Sequence, residues 1–308
     1  MASKQSNIKK RSKSNVFSLK WMRYHENDHI LIFASSVAAA AGMHPYQQQQ
    51  ELKEEFWREL GHNSTYVKPE ELAEQELEKL TLPERQKIEA VIDASYSCAT
   101  DVIEAFAKIT TNDATDATDQ QLSLHPAIIE KVRSAMYTKH GQEQETIIRD
   151  AFSKEISKPV TTDNKCVKGS LPIVTTTGAG ASTSNNIEVY VGGKHDGMVD
   201  NKIVEIKTRQ RRFLGTPVYE LVQVHTYMYI YGTRQAVIVE SYNGQERKHE
   251  IEFDDGFWDK IKSKIAEFVT ELVDVWKKKN KLVDYIVFYT YFLCSIECMC
   301  DKDHSLNL

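Results

Sequence analysis

The chain has 308 residues, 41% of them hydrophobic and 27% charged, with a formal net charge of −5. That composition is ordinary for a soluble globular protein, and the length allows one large domain or two small ones. The net negative charge excludes attraction of the whole surface to nucleic acid, so any such contact must come from local basic patches.

Residues 1–24 carry Lys4, Lys9, Lys10, Arg11, Lys13, Lys20 and Arg23 with no acidic residue. This reads as a disordered basic tail with three open roles: a nuclear-import signal, a DNA-binding arm or a solubilising tail. It leads into no apolar run of the kind a secretory signal has, and five cysteines, an odd number, suit a reducing compartment. An intracellular location is therefore expected.

Residues 35–42 predict a short helix with a serine cap and a stop at Gly42. After the Pro45-Tyr46 turn and a glutamine run, 51–60 and much of 70–109 have helical composition, Thr110 to Gln121 is a polar loop, and 126–139 and 142–157 predict two more helices. Lys158 to Asn186, rich in Thr, Ser, Gly and Asn, reads as a flexible insertion. A hairpin follows around Asp200-Asn201. Next comes a helix with Thr216 as cap, Pro217 in its first turn and Gly232 at its end. Two strand-like runs, 235–241 and 246–253, flank Asn243-Gly244, and a last helix starts near Asp255. Strands should thus cluster between 187 and 253. The apolar stretch 285–296 is too short to span a bilayer and reads as a buried or partner-facing segment rather than a membrane anchor. No internal repeat is apparent.

Chemistry concentrates at the first hairpin. With Asp200-Asn201 as a two-residue turn, 199 opposes 202, and counting back sets Asp196 opposite Glu205. Alternation along a strand gives Ile203, Glu205 and Lys207 one face, so Asp196, Glu205 and Lys207 converge. Two carboxylates about 5 Å apart repel by about 3 kcal/mol at an effective dielectric of about 20, more than a cross-strand pair ordinarily gains. Lys207 offsets part of that, and a Mg²⁺ between the carboxylates would offset the rest. A solvated Glu/Lys face is the plain structural alternative.

Two further residues point at the same place. Glu145, read as lying near the start of a helix, shares its stripe with Ile148 and Phe152; its plain role is to complement the helix dipole. Gln223 is the polar residue between Tyr219 and Tyr227 on the helix after the hairpin, either an amide at the core edge or a participant in the site. Arg209, Arg211 and Arg212 follow directly after Lys207 and form a basic patch suited to phosphate.

In order, the runs Gly141 to Glu145, Gly193 to Gly197, Ile203 to Lys207 and Gln223 to Tyr227 resemble the motifs of the PD-(D/E)XK nuclease superfamily. The chain is most similar to the phage-exonuclease branch, the YqaJ or lambda-exonuclease-type viral recombinases, whose opening motif resembles Ala34 to Ala38 and Gly42 to Tyr46. The resemblance covers about 30–60 and 135–280. It implies an α/β, restriction-endonuclease-like core with a mixed central β-sheet flanked by helices, plus a helical N-terminal portion. The expected divisions are a tail over 1–24, a nuclease domain over 25–280 with a helical insertion at about 61–134 and a flexible loop at about 158–186, and a hydrophobic, cysteine-containing tail over 281–308.

The activity so implied is Mg²⁺-dependent hydrolysis of DNA phosphodiesters, with Mn²⁺ as an alternative ion. An exonuclease on linear duplex ends leads. A structure-specific endonuclease on the same fold and a catalytically silent DNA-binding module are the alternatives. By resemblance, Asp196, Glu205, the Ile206 carbonyl and Glu145 would hold metal, Lys207 would orient or help deprotonate water, and Gln223 would position Lys207 or the phosphate. Ser35, Arg209, Arg211, Arg212 and Tyr227 would contact DNA. A single-strand annealing protein as partner and an oligomeric state also belong to that branch.

Two features depart from the branch. The arginine that helps hold a 5′-phosphate there has no counterpart among Asn27, Asp28, His29 and Ile30, and 61–134 aligns with nothing in it. Cys294, Cys298, Cys300 and His304, with Cys98 or Cys166, invite an iron–sulfur reading, but the Cys298-x-Cys300 spacing is too tight and no cluster is expected.

Overall fold

Two four-stranded mixed ladders, each flanked by helices, form the frame of this computed structural model, which describes residues 19–24, 27–59, 67–110, 124–162, 165–173 and 188–275. The first ladder joins β1 (Leu19–Tyr24), β2 (Asn27–Phe33), β4 (Glu188–Gly193) and β3 (Val167–Leu171) in that spatial order; β2 and β4 run parallel. The second joins β5 (Gly197–Val199), β6 (Lys202–Thr208), β7 (Gln235–Tyr242) and β8 (Gln245–Glu252), with β6 and β7 parallel. The expected α/β class with mixed pairing holds. The single central sheet is instead two ladders, joined through 194–196 between β4 and β5.

Strands are not confined to 187–253. β1, β2 and β3 precede that window, and β3 lies inside the segment read as a flexible insertion. Short helix α1 (Ala34–Ala40) ends as expected at Gly42, whose φ of 65° is left-handed, but Phe33 occupies its N-cap and no serine caps it. Helices α2 (Gln49–Glu59), α3 (Pro69–Glu78), α4 (Leu82–Asp93) and α5 (Ala99–Thr110) follow. The two helices expected over 126–157 are one, α6 (Pro126–Glu155), running 30 residues through Gly141. Helix α7 (Val218–Tyr231) begins one turn-position later than expected, with Pro217 rather than Thr216 at the N-cap, and stops at left-handed Gly232. Asn243 and Gly244 both have positive φ and close the β7–β8 hairpin, and α8 spans 255–275.

Four apolar clusters hold these elements. The largest packs α1, α2, α7 and α8 against β2 and β4, through residues such as Ile30, Val37, Phe56, Val191, Val222, Ile261 and Phe268. β6 separates two more. Its Ile203 packs with Val224, Tyr227 and Met228 of α7, while Val204 and Ile206 pack with Ile148 and Phe152 of α6. The fourth joins Ile88 of α4 and Val102 and Phe106 of α5 to Ile128, Val132 and Met136 of α6. Helices α3, α4 and α5 and the first half of α6 thus form a helical lobe with its own core, and α6 belongs to both lobes.

Among the described residues, no helix is long and apolar enough to cross a membrane. Residues 1–18, 111–123 and 174–187, and everything after 275, lie outside the described residues. That includes most of the basic tail, the stretch 285–296, Cys294, Cys298, Cys300 and His304.

Candidate active site

The hairpin that carries the acidic residues is built by its turn. Asp200 (φ 48°) and Asn201 (φ 60°) both occupy the left-handed region that a two-residue type I′ turn requires. Val199 pairs with Lys202, Met198 with Ile203 and Gly197 with Val204, so the next rung sets Asp196 against Glu205, the register read from the sequence. Close packing fixes the glycines on either side. A Cβ on Gly193 would stand 2.7 Å from Tyr227 Cε1, and one on Gly197 would stand 2.4 Å from Val160 Cγ1.

Asp196 Oδ2 accepts a hydrogen bond from the Ile206 N–H at 2.8 Å. Glu205 is only 2% exposed; its Oε1 accepts from Lys207 Nζ at 2.8 Å, while its buried Oε2 has no hydrogen-bond partner among the described residues. Lys207 Nζ also donates to Gln223 Oε1 at 3.1 Å, and Gln223 Nε2 donates to the Tyr227 hydroxyl at 3.1 Å. Burial, then the Glu205 charge, pushes the Asp196 carboxyl up to about 8 against the pull of the Ile206 N–H and Lys207. Burial also raises Glu205, with Lys207 opposing. For Lys207, burial favours the neutral amine but is outweighed by the bonded Glu205, so the group stays a firm ammonium.

Glu145 is the twentieth residue of α6, in mid-helix rather than near its start, so the helix-dipole role does not apply. It pairs with Arg149 at 3.0 Å, and Arg149 reaches the Asp196 carbonyl at 3.4 Å; the Glu145 charge helps raise both Asp196 and Glu205. Asp196, Glu205, Lys207 and Gln223 therefore come together, with Glu145 at their edge. Ser35 is exposed on α1, and Arg211 and Arg212 are exposed on the loop between β6 and α7.

Two expected DNA contacts need correction. Arg209 is 7% exposed, and its guanidinium is taken up by Glu220 Oε1 and Oε2 (2.6 and 2.8 Å), Glu240 Oε1 (2.5 Å) and the Gly215 carbonyl (3.4 Å), so it is committed to the interior rather than presented to a phosphate. Tyr227 is buried, and burial holds its hydroxyl well above the usual phenol range; it touches Gln223 instead. Sequence reading missed Arg149, Glu220, Glu240 and His249, which sits 2.8 Å from Glu240 Oε2. One signal for Glu220 was available: Arg209 follows Lys207 on the same strand face, and Glu220 lies one helical turn before Gln223.

Among the described residues, no three His, Cys, Asp or Glu side chains are close enough to hold a metal ion by themselves. The donor set nevertheless fits a hard divalent cation, which binds through one or two carboxylates and keeps several waters. The partnerless Glu205 Oε2 is the observation that supports the fit, because a buried carboxylate oxygen left unpaired is costly.

The sequence pattern describing the YqaJ-like viral recombinase domain matches residues 20–234. No curated protein matches the chain. Among solved structures, an alkaline exonuclease from Laribacter hongkongensis matches at 17% identity and a TM-score of 0.35, over 65% of this chain and 98% of that one. A phage-related exonuclease from Haemophilus somnus 129PT matches at 13% identity and a TM-score of 0.33, over 63% and 93% respectively.

Proposed function

The chain belongs to the YqaJ-like viral recombinase family of nucleases, and on that premise we propose that it is a divalent-metal-dependent exonuclease acting on the ends of linear duplex DNA. The observation that carries this reading is the gathering of half-buried Asp196 and Lys207 about buried Glu205, one of whose oxygens has no partner among the described residues. Binding alone gives no reason to desolvate two carboxylates side by side.

Asp196, Glu205 and the Ile206 carbonyl would hold the ion, with Glu145 near enough to reinforce the negative potential. Mg²⁺ or Mn²⁺ bound there supplies Lewis acidity and charge to the scissile phosphate. Lys207 spends one N–H on Glu205 and one on Gln223, which leaves the third to orient water or a phosphate oxygen. Held as an ammonium beside Glu205, Lys207 would orient the attacking water and stabilise charge, or help deprotonate that water. Gln223, braced by Tyr227, keeps that third N–H aimed. Arg211, Arg212 and Ser35 are the exposed candidates for phosphate contact.

The test is degradation of linear duplexes with 5′-phosphate or 5′-hydroxyl ends, and of a closed circle, in Mg²⁺, Mn²⁺ or EDTA, with Asp196→Asn as control. Loss of the linear substrates alone, only with metal and only with wild-type protein, supports the proposal. Cutting of the circle would reassign the protein as an endonuclease. Equal degradation by Asp196→Asn would remove the site.

A further inference from the structure

Two hydrogen-bonded rungs run between one face of the β6 segment and α7, with a third pair beside them. Glu205, Lys207 and Arg209 alternate outward along the strand, and α7 presents Tyr227, Gln223 and Glu220 to them in reverse order. Lys207 meets Gln223 and Arg209 meets Glu220 by hydrogen bonds, while Tyr227 lies close enough to Glu205 to feel its charge. Two strand residues advance about 6.6 Å, against about 6 Å from Tyr227 to Gln223 and about 4.5 Å from Gln223 to Glu220, an offset that the long Lys207 and Arg209 side chains span. A slide of α7 by a single residue, about 1.5 Å, would carry Gln223 out of reach of Lys207.

The start of α7 packs through Tyr219 and Val222 into the largest apolar cluster, but its polar fastening is sparse. Its N-cap is Pro217, which offers no side-chain cap to the first-turn N–H groups. What ties it down is Glu220, in the first turn, gripped at both oxygens by Arg209. Arg209 is anchored in turn to Glu240 of β7, a fully buried carboxylate that also accepts from the Leu214 N–H at 2.9 Å, the Gly215 N–H at 3.1 Å and His249. One buried carboxylate therefore fastens the end of the β6–α7 loop, and one guanidinium fastens the helix that follows. A planar fork bound at both oxygens fixes direction as well as distance, which a lysine cannot do.

We propose that Arg209, acting through Glu220 and Glu240, is a positioning residue that sets the register of α7 on β6 and thereby holds Gln223 against Lys207. Its catalytic consequence rests on the nuclease reading above; its structural content does not. Arg209 never touches substrate in this account.

The decisive measurement is the side-chain amide of Gln223 in the full-length protein, labelled with ¹⁵N in glutamine side chains and assigned by its loss in Gln223→Ala. In Glu220→Gln, and separately in Arg209→Lys, the folded protein should show this amide shifted in its resonance, because its oxygen loses the Lys207 N–H, while its own N–H keeps Tyr227 on the same helix. An unmoved amide resonance in either folded variant overturns the proposal, whatever the activity. On linear duplex DNA the same variants should lose about tenfold in kcat with KM kept within about twofold, and should lose no further rate when combined with Gln223→Ala. Equal losses in both backgrounds would make the clamp a general stabiliser and sink the idea. Wild-type protein inert on DNA in Mg²⁺ and Mn²⁺ would instead defeat the nuclease reading, and the amide would still decide the register.

Discussion

The helical lobe and the lobe that carries the hairpin bury different chemistry. In the first, Ile88, Val102, Phe106, Ile128, Val132 and Met136 meet one another, and the apolar area removed from water suffices to hold them. In the second, Glu205, Arg209, Glu220 and Glu240 are all buried around β6, β7 and α7. Desolvated charges cost several kcal/mol each unless paired, so these residues are bound into two sets, the Glu205–Lys207–Gln223 chain and the Arg209–Glu220–Glu240 clamp. The contrast teaches where to look for chemistry. Among the described residues, the hairpin lobe leaves a buried carboxylate oxygen, Glu205 Oε2, open at the point where an ion would sit.

The sharpest separation of the two regions comes from removing a site carboxylate. Asp196→Asn should cost about a thousandfold or more in kcat on linear DNA while the unfolding temperature in EDTA stays level or rises, since one of two repelling acids is gone. A coupled fall in stability would break the contrast.

The mirror-image experiment sits in the helical lobe. Ile128→Ala should lower stability by about 3 kcal/mol in denaturant titration, yet leave the rate per folded molecule within about twofold. A selective loss of rate would mean that the helical lobe takes part in the chemistry.

The large acid–base shift at Asp196 belongs to the hairpin lobe. Asp196 is pushed up to about 8 in the folded chain, against about 3.9 when unfolded, so the folded state holds an extra proton across that window. Its stabilising share is complete below about pH 4 and is lost as pH rises toward 8, and thermal melts in EDTA should follow that course in wild type but not in Asp196→Asn. At pH 8, Mg²⁺ at about a hundred times its dissociation constant should restore about 2.7 kcal/mol to wild type alone.

The smallest effect lies where the two lobes share a helix. A Cβ on Gly141 meets nothing within 4 Å, so Gly141→Ala should raise stability by about 0.5–1 kcal/mol without altering kcat. A loss of stability would point to a bend required at that residue.

What could be read in the sequence was local. The Asp200-Asn201 and Asn243-Gly244 turns need positive φ, their residue types advertise it, and the strand register follows by counting. Gln223 and Glu145 were found because helical spacing is equally local. Arg209 was misassigned because its partners are far away: Glu240 lies 31 residues downstream, and a surface arginine and a buried one look alike until that strand pairs. The same limit hid β1 and β3, whose pairing with β2 and β4 is what makes them strands. The break expected within 126–157 failed for the opposite reason: a glycine costs a helix only about 1 kcal/mol, and packing at both ends of α6 outweighs it.

That uninterrupted α6 behaves as an indexing shaft. Met136 is keyed into the helical lobe and Ile148 into the sheet, so the eleven residues between them fix one angular phase for both ends. Inserting a single residue there would turn one end by about 100° and advance it about 1.5 Å, and no rotation of the shaft would then seat both keys. Arg149, one residue beyond Ile148, would swing away from the Asp196 carbonyl with it. Length between these two positions is therefore constrained far more tightly than residue identity.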